Sequence, residues 1–145
     1  SEELEMSTRC YIGKLDEKSN DVKFIYCHFD GYPEYVGYML DTYYKDHGKV
    51  EDLLDLGDIS CLKENIQPNG DHSYENPEEN VTVAYFRDRS EMWENVAPNH
   101  TQLANYEKDD VMIAYKYLYK DGIWFVDVEN GLSRWTKVSD LLKDN

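Results

Sequence analysis

Apolar positions along the chain change their spacing at one stretch, Tyr26-Cys27-His28-Phe29-Asp30-Gly31-Tyr32-Pro33-Glu34-Tyr35. Upstream, Val22, Phe24 and Tyr26 fall on one face of an extended segment and Ile25, Cys27 and Phe29 on the other. Strands are therefore predicted over Thr8 to Lys14 and Val22 to Phe29, joined as a hairpin across the all-polar run Asp16-Glu17-Lys18-Ser19-Asn20-Asp21. Downstream, Val36, Met39, Leu40 and Tyr43 sit at i, i+3, i+4 and i+7, the spacing of an amphipathic helix. Pro33 suits its first turn, where a missing N–H costs nothing, and Asp30 or Tyr32 takes the cap position. On this reading the Asp30 side chain caps the helix, and Gly31 adopts a backbone conformation closed to other residues.

A second helix is predicted from Val50 to Leu56, with Val50, Leu53 and Leu54 inward and Gly57 as its stop. Leu62 and Ile66 pin the chain before Gln67 to Asn80, whose Pro, Asn, Gly, Asp and Glu residues read as a surface loop. Val81 to Phe86 reads as a strand leading into Arg87-Asp88-Arg89. Between Ser90 and Lys108 the pattern is weak: Met92, Trp93 and Val96 suggest a helical turn ended by Pro98, and Leu103 and Tyr106 another. Val111, Ile113, Tyr115, Tyr117 and Tyr119 then alternate with the residues between them. Asp121-Gly122 supplies a hairpin turn to a returning strand, Ile123 to Val128. Asn130-Gly131 turns the chain again toward Leu132 to Trp135, and Val138, Leu141 and Leu142 give a last short helix.

This order of elements predicts an α+β domain, a mainly antiparallel sheet of about five strands with helices packed on one side. A single domain is expected over 7–145. Met6 reads as a native start, so 1–6 is expected to be a cloning remnant or a disordered beginning. A chain of 145 residues can bury about two-thirds of its unfolded surface without a metal or disulfides. Cys10, Cys27 and Cys61 are an odd set without CxxC spacing, which points to a reducing cytoplasm. No apolar run approaches the ~20 residues of a membrane span.

Charge changes the picture. The net of −15 arises from 15 basic and 30 acidic residues; without Glu2, Glu3 and Glu5 the count is 15 against 27, still −12. Attraction to phosphate backbones needs the opposite sign, so direct nucleic-acid binding is disfavoured. Candidate chemistry is sparse. His28 and Asp30 are two apart and share a face of an extended segment, and Tyr32 follows them. Arg87 and Arg89 can grip a phosphate or carboxylate with bidentate contacts, or can neutralise Asp30, Asp58 or Asp88 as scaffold. Cys27 cannot join His28 in a zinc site, because adjacent strand residues point to opposite faces; no metal and no cofactor is expected. Nucleotide-binding glycine loops and a nucleophile elbow are absent from the sequence, and no catalytic residue is assigned.

The words His28-x-Asp30-Gly31-Tyr32-Pro33, Gly57-Asp58-Ile59-Ser60 and Tyr85-x-Arg87-Asp88-Arg89 resemble those of a group of small proteins encoded by phages and prophages of Gram-positive bacteria. The likeness spans Ser7 to Leu142. The group commonly reads Gly-Glu where this chain has Ser90-Glu91. The resemblance implies a genomic context, and with it a use for the acidity: rows of carboxylates can occupy the basic groove that a host nuclease or repressor offers to DNA. The candidate carboxylate face comprises Asp41, Asp46, Glu51, Asp52, Asp55 and Asp58 around the two helices, with Glu75, Glu78 and Glu79 on the loop. The expected partner is a host protein with a basic surface, met in the bacterial cytoplasm without membrane involvement. The alternative is a small-ligand site for a phosphorylated molecule, built by His28, Asp30, Tyr32, Arg87 and Arg89. Thirteen tyrosines favour an interface, although Tyr115, Tyr117 and Tyr119 can equally line one sheet face over the core.

Overall fold

A computed structural model describes residues 7–128 and 134–143. Strands β1 (Cys10–Asp16) and β2 (Asp21–Cys27) form the predicted hairpin, in a register that sets Cys10 against Cys27 and Asp16 against Asp21. A π-helical turn, Pro33–Gly37, runs into α1 (Tyr38–Tyr43), and α2 follows over His47–Asp55. Next come β3 (Ile59–Cys61), β4 (Val83–Ala84), and the short helices α3 (Tyr85–Arg89) and α4 (Trp93–Val96). The chain continues through β5 (Asn99–Gln102), α5 (Leu103–Tyr106), the hairpin β6 (Tyr115–Lys120) and β7 (Ile123–Asp127), β8 (Trp135–Lys137) and α6 (Val138–Lys143).

The fold is α+β, but the sheet is larger and more mixed than predicted. Eight strands take the order β4-β3-β2-β1-β6-β7-β8, with β5 pairing the free half of β2. Most pairings are antiparallel; β1–β6 and β2–β3 are parallel. Period-two patterning says which face a residue takes, not which strand lies alongside it, so the parallel pairing could not be read from the sequence.

Two cores result, one on each face. Cys10, Ile12, Ile25, Cys27, Tyr117 and Tyr119 face α1, α2 and α6, where Leu40, Val50, Leu53, Leu54 and Val138 close the main core. On the opposite face Leu15, Val22 and Leu118 pack against Tyr106 of α5, so helices do not lie on one side only. Gly13 makes room for that ring: a Cβ there would stand 2.8 Å from Val22 Cγ1 and 3.0 Å from the Tyr106 hydroxyl. Many of the tyrosines serve as ties between core and loop backbone. Tyr35 donates to Leu62 O at 2.7 Å, Tyr44 to Lys63 O at 2.6 Å, Tyr117 to Gly31 O at 2.7 Å, and Tyr119 to Lys45 O. A buried phenol needs such an acceptor, and loop carbonyls need a donor.

Several local expectations are corrected. The strand predicted over Val81 to Phe86 is confined to Val83–Ala84, and Tyr85 opens a helix. Asp88 drives that change: its carboxylate reaches back to accept from Ala84 N–H at 2.8 Å, as the returning carboxylate of a capping box does. Ser90 ends the helix in the left-handed region, φ 60°, a conformation that favours glycine. The strand predicted from Val111 begins only at Tyr115, because Asp110 turns the chain by accepting from Met112 N–H at 3.0 Å and leaves Val111 wholly exposed.

At the junction, the cap position of the first helix is Tyr32, without a side-chain cap bond. Asp30 instead lies exposed at φ 58°, so it carries the left-handed conformation expected of Gly31. Gly31 is required for space, since a Cβ there would stand 2.8 Å from both Cys10 Cβ and Thr8 O. In α2 the capping residue is Asp46, which accepts from Lys49 N–H at 3.1 Å. The expectations for 1–6 and for the Asn130-Gly131 turn fall outside the described residues.

Candidate functional site

The parallel pairing of β1 with β6 has a consequence for charge. Both hairpins turn at the same end of the sheet, so Asp16, Glu17 and Asp21 of the first turn meet Asp121 of the second. Glu17 and Asp121 line the same cleft, and their interaction, added to some desolvation and their like charge, raises the proton affinity of Glu17 against the opposing pull of Lys120. A cleft of about 470 Å³ joins these acids to Lys14, Lys23, His47, Glu51 and Tyr119. Within it Lys14 pairs with Glu51 at 2.7 Å, and Lys23 with Glu51 at 3.2 Å and Asp55 at 2.6 Å. His100 meets Asp21 at 2.8 Å on the flank. The larger cleft, about 700 Å³, is also lined by carboxylates, those of Glu34, Asp109, Asp110 and Asp127.

At the opposite end of β2 the chemistry reverses. Phe24, Tyr26 and His28 alternate onto one face, and the register that pairs Cys10 with Cys27 sets Arg9 beside His28. The Tyr26 hydroxyl and His28 Nδ1 are 2.7 Å apart. Burial lowers the proton affinity of His28, and the positive charges of Arg9 and Arg89 lower it further. Arg89 lies over the rings of Tyr74, at 4.5 Å, and Tyr85, at 5.6 Å. Arg9 Nε is buried without a hydrogen-bond partner.

Comparison with known proteins finds no match. No family model fits the chain, and no curated protein or solved structure is similar to it.

The five residues grouped as a ligand site do not stay together. Arg87 is scaffold: it donates to Asp88 from Nε at 2.8 Å and Nη2 at 3.0 Å, to Ile66 O at 2.7 Å and to Thr82 O at 2.8 Å. Asp30 and Tyr32 interact with each other, the Asp30 charge holding the Tyr32 phenol above its usual range. Only His28 and Arg89 are brought into one cluster, and Arg9 joins them unannounced by the sequence.

Of the candidate acids, Asp46, Glu51 and Asp55 border the hairpin end, while Asp41 and Asp52 lie on α1 and α2. Glu75 and Glu79 are exposed on the β3–β4 connection. Glu78 is occupied in closing that loop, accepting from Asn69 N–H at 2.8 Å. His72 anchors the same loop: its Nδ1 accepts from Glu78 N–H at 2.9 Å, leaving Nε2 to donate to Thr82 O at 3.2 Å, with the Asp88 carboxylate also 3.2 Å away. Among the described residues no three His, Cys, Asp or Glu side chains are placed to hold a metal ion, and no helix is long and apolar enough to cross a membrane.

Asp58 leaves the carboxylate face altogether. It is half-buried beside β2, where burial pushes its carboxyl up to about 6 despite a 2.9 Å bond from Tyr26 N–H. An aspartate in the unfolded chain loses its proton near about pH 4. Between these values the folded state binds more protons than the unfolded one, so the group's contribution to stability falls as pH rises through that window. Asp58→Asn keeps an acceptor for Tyr26 and removes the titration. Urea unfolding should then show a smaller stability loss from about pH 4 to about pH 6 than in the wild type. An unchanged pH dependence would refute this assignment.

Proposed function

We propose that the protein is a phage-derived, cytoplasmic interaction protein that occupies the basic groove of a host protein handling nucleic acid, such as a defence nuclease. The observation that carries this reading is the gathering of Asp16, Glu17, Asp21 and Asp121 along one cleft where two adjacent hairpins turn. Four carboxylates gathered at one end of the sheet concentrate negative potential there, and a basic partner would neutralise it. Asp16, Asp21, Asp46 and Asp55 extend the negative surface onto α2, with Lys14, Lys18, Lys23 and Lys120 as its internal counter-charges.

The reading is tested by capture on the immobilised protein from bacterial lysate, followed by elution with duplex DNA. The expected result is a basic nucleic-acid-binding protein released by DNA and not captured by a variant carrying Asp16→Asn, Glu17→Gln, Asp21→Asn and Asp121→Asn. Capture of equal strength by that variant would contradict it.

A further inference from the structure

We propose that Arg9, His28 and Arg89, walled by Tyr26, Tyr74 and Tyr85, form a binding site for the phosphate group of a small phosphorylated molecule. The site is separate from the acidic hairpin end and does not depend on what that end binds.

The first argument is hydrogen-bond accounting. Buried polar groups are nearly always satisfied, and an arginine Nε left without an acceptor is costly. Arg9 Nε is the one such buried side-chain atom among the described residues. Arg87 shows the alternative, its guanidinium bonded to a carboxylate and two carbonyls. Arg9 therefore holds a donor for which the described residues supply no acceptor.

The second argument is the character of the neighbours. A phosphate selects the tautomer in which the Tyr26 hydroxyl donates to His28 Nδ1, 2.7 Å away, and Nε2 carries the ring's N–H donor. Arg89 is held by its ring contacts with Tyr74 and Tyr85 while its side chain keeps 42% of its exposure, and Glu91 touches it only at 3.7 Å. The cluster thus offers N–H donors from three side chains, which is the chemistry that recognises an oxyanion carrying several acceptor oxygens. A phosphate monoester has three such oxygens and, at neutral pH, close to two charges.

The third argument concerns the acidity of the chain. Asp16 and Asp21 lie at the far end of β1 and β2, about 20 Å away, which is more than twice the screening length at physiological salt. The nearer carboxyl of Asp58, pushed up to about 6 by burial, is ionised at pH 7 but is occupied by Tyr26 N–H. Among the described residues the carboxylate paired with these two arginines is Glu91, 3.7 Å from Arg89, so the two guanidiniums are only partly neutralised.

The test is a titration with inorganic phosphate at pH 7 and constant ionic strength, followed by the ring proton resonances of His28. The expected result is a saturable shift with a midpoint on the order of millimolar. Sodium acetate at the same concentrations should leave the resonance in place. Arg9→Gln and Arg89→Gln should each raise the midpoint at least about tenfold, the loss expected for a charge-assisted bond. Arg134→Gln, which removes a guanidinium paired with Asp127 elsewhere, should not move it. Spectra unchanged outside the site show that each variant is folded. A His28 resonance that does not respond to phosphate, or responds equally in Arg9→Gln, overturns the proposal.

Discussion

Replacing Asp88 by alanine is expected to lower the melting temperature by about 10 °C or more, since breaking a buried ion pair costs roughly 3–5 kcal/mol and each kcal/mol is worth about 2–4 °C at this size. The Asp88 side chain is 2% exposed, and it satisfies Ala84 N–H, two Arg87 nitrogens and His72 together. Its loss leaves the Arg87 guanidinium without its carboxylate and unties the loop that His72 holds. Arg89→Gln provides the comparison, because Arg89 is half exposed and bears little of the scaffold; its melting temperature should stay within about 2 °C of wild type. Thermal denaturation followed by circular dichroism checks both. A drop below about 3 °C for Asp88→Ala would show that the network does not hold the β4–α3 turn.

Gly57→Ala should be at least as damaging. Gly57 has φ +78°, and a Cβ there would stand 2.4 Å from Val96 O and 3.1 Å from Trp93 Cζ3. The backbone cannot retreat, since Val96 O accepts from Asp58 N–H at 2.8 Å and so fixes α4 against the start of β3. A strained dihedral and a forced contact each cost about 1–3 kcal/mol, so a loss of roughly 10 °C, or failure to accumulate as folded protein, is expected. Gly70→Ala is the control, with nothing within 4 Å of the added carbon. Its melting temperature should match wild type, and equal behaviour of the two variants would contradict the account of Gly57.

How far the sequence reached follows from what each pattern encodes. The β1–β2 and β6–β7 hairpins were legible because period-two alternation and Asp121-Gly122 specify them locally, and Tyr117 and Tyr119 lie on the core face as their spacing requires. The pairing of β1 with β6 is long-range, so nothing local announced that Asp16 and Glu17 would meet Asp121. Arg87 and Arg89 were grouped because they stand two apart directly after a predicted strand. In α3 the same two positions are turned about 200° apart, which sends Arg87 inward to Asp88 and Arg89 outward to Tyr74 and Tyr85. His72 looked like one polar residue of a disordered-looking loop. Its role depends on a carboxylate, Asp88, that only the folded chain brings to it.

Arg9 was passed over because a lone arginine before a strand has no motif; a signal could have been found only by extending the hairpin register one step beyond Cys10 and Cys27. Composition and spacing list the acids but not their surroundings: Asp58 is half-buried against Tyr26 N–H, and Glu78 closes a loop.

The proposed docking of the acidic hairpin end is tested most directly by the salt dependence of binding to the captured basic protein, measured from roughly 50 to 500 mM salt for the wild type and the four-carboxylate variant. The account predicts that wild-type affinity falls steeply and linearly on logarithmic axes, and that the Asp16→Asn, Glu17→Gln, Asp21→Asn, Asp121→Asn variant binds at least about tenfold more weakly with a shallower slope. Affinity insensitive to salt, or the same slope in both proteins, would contradict it.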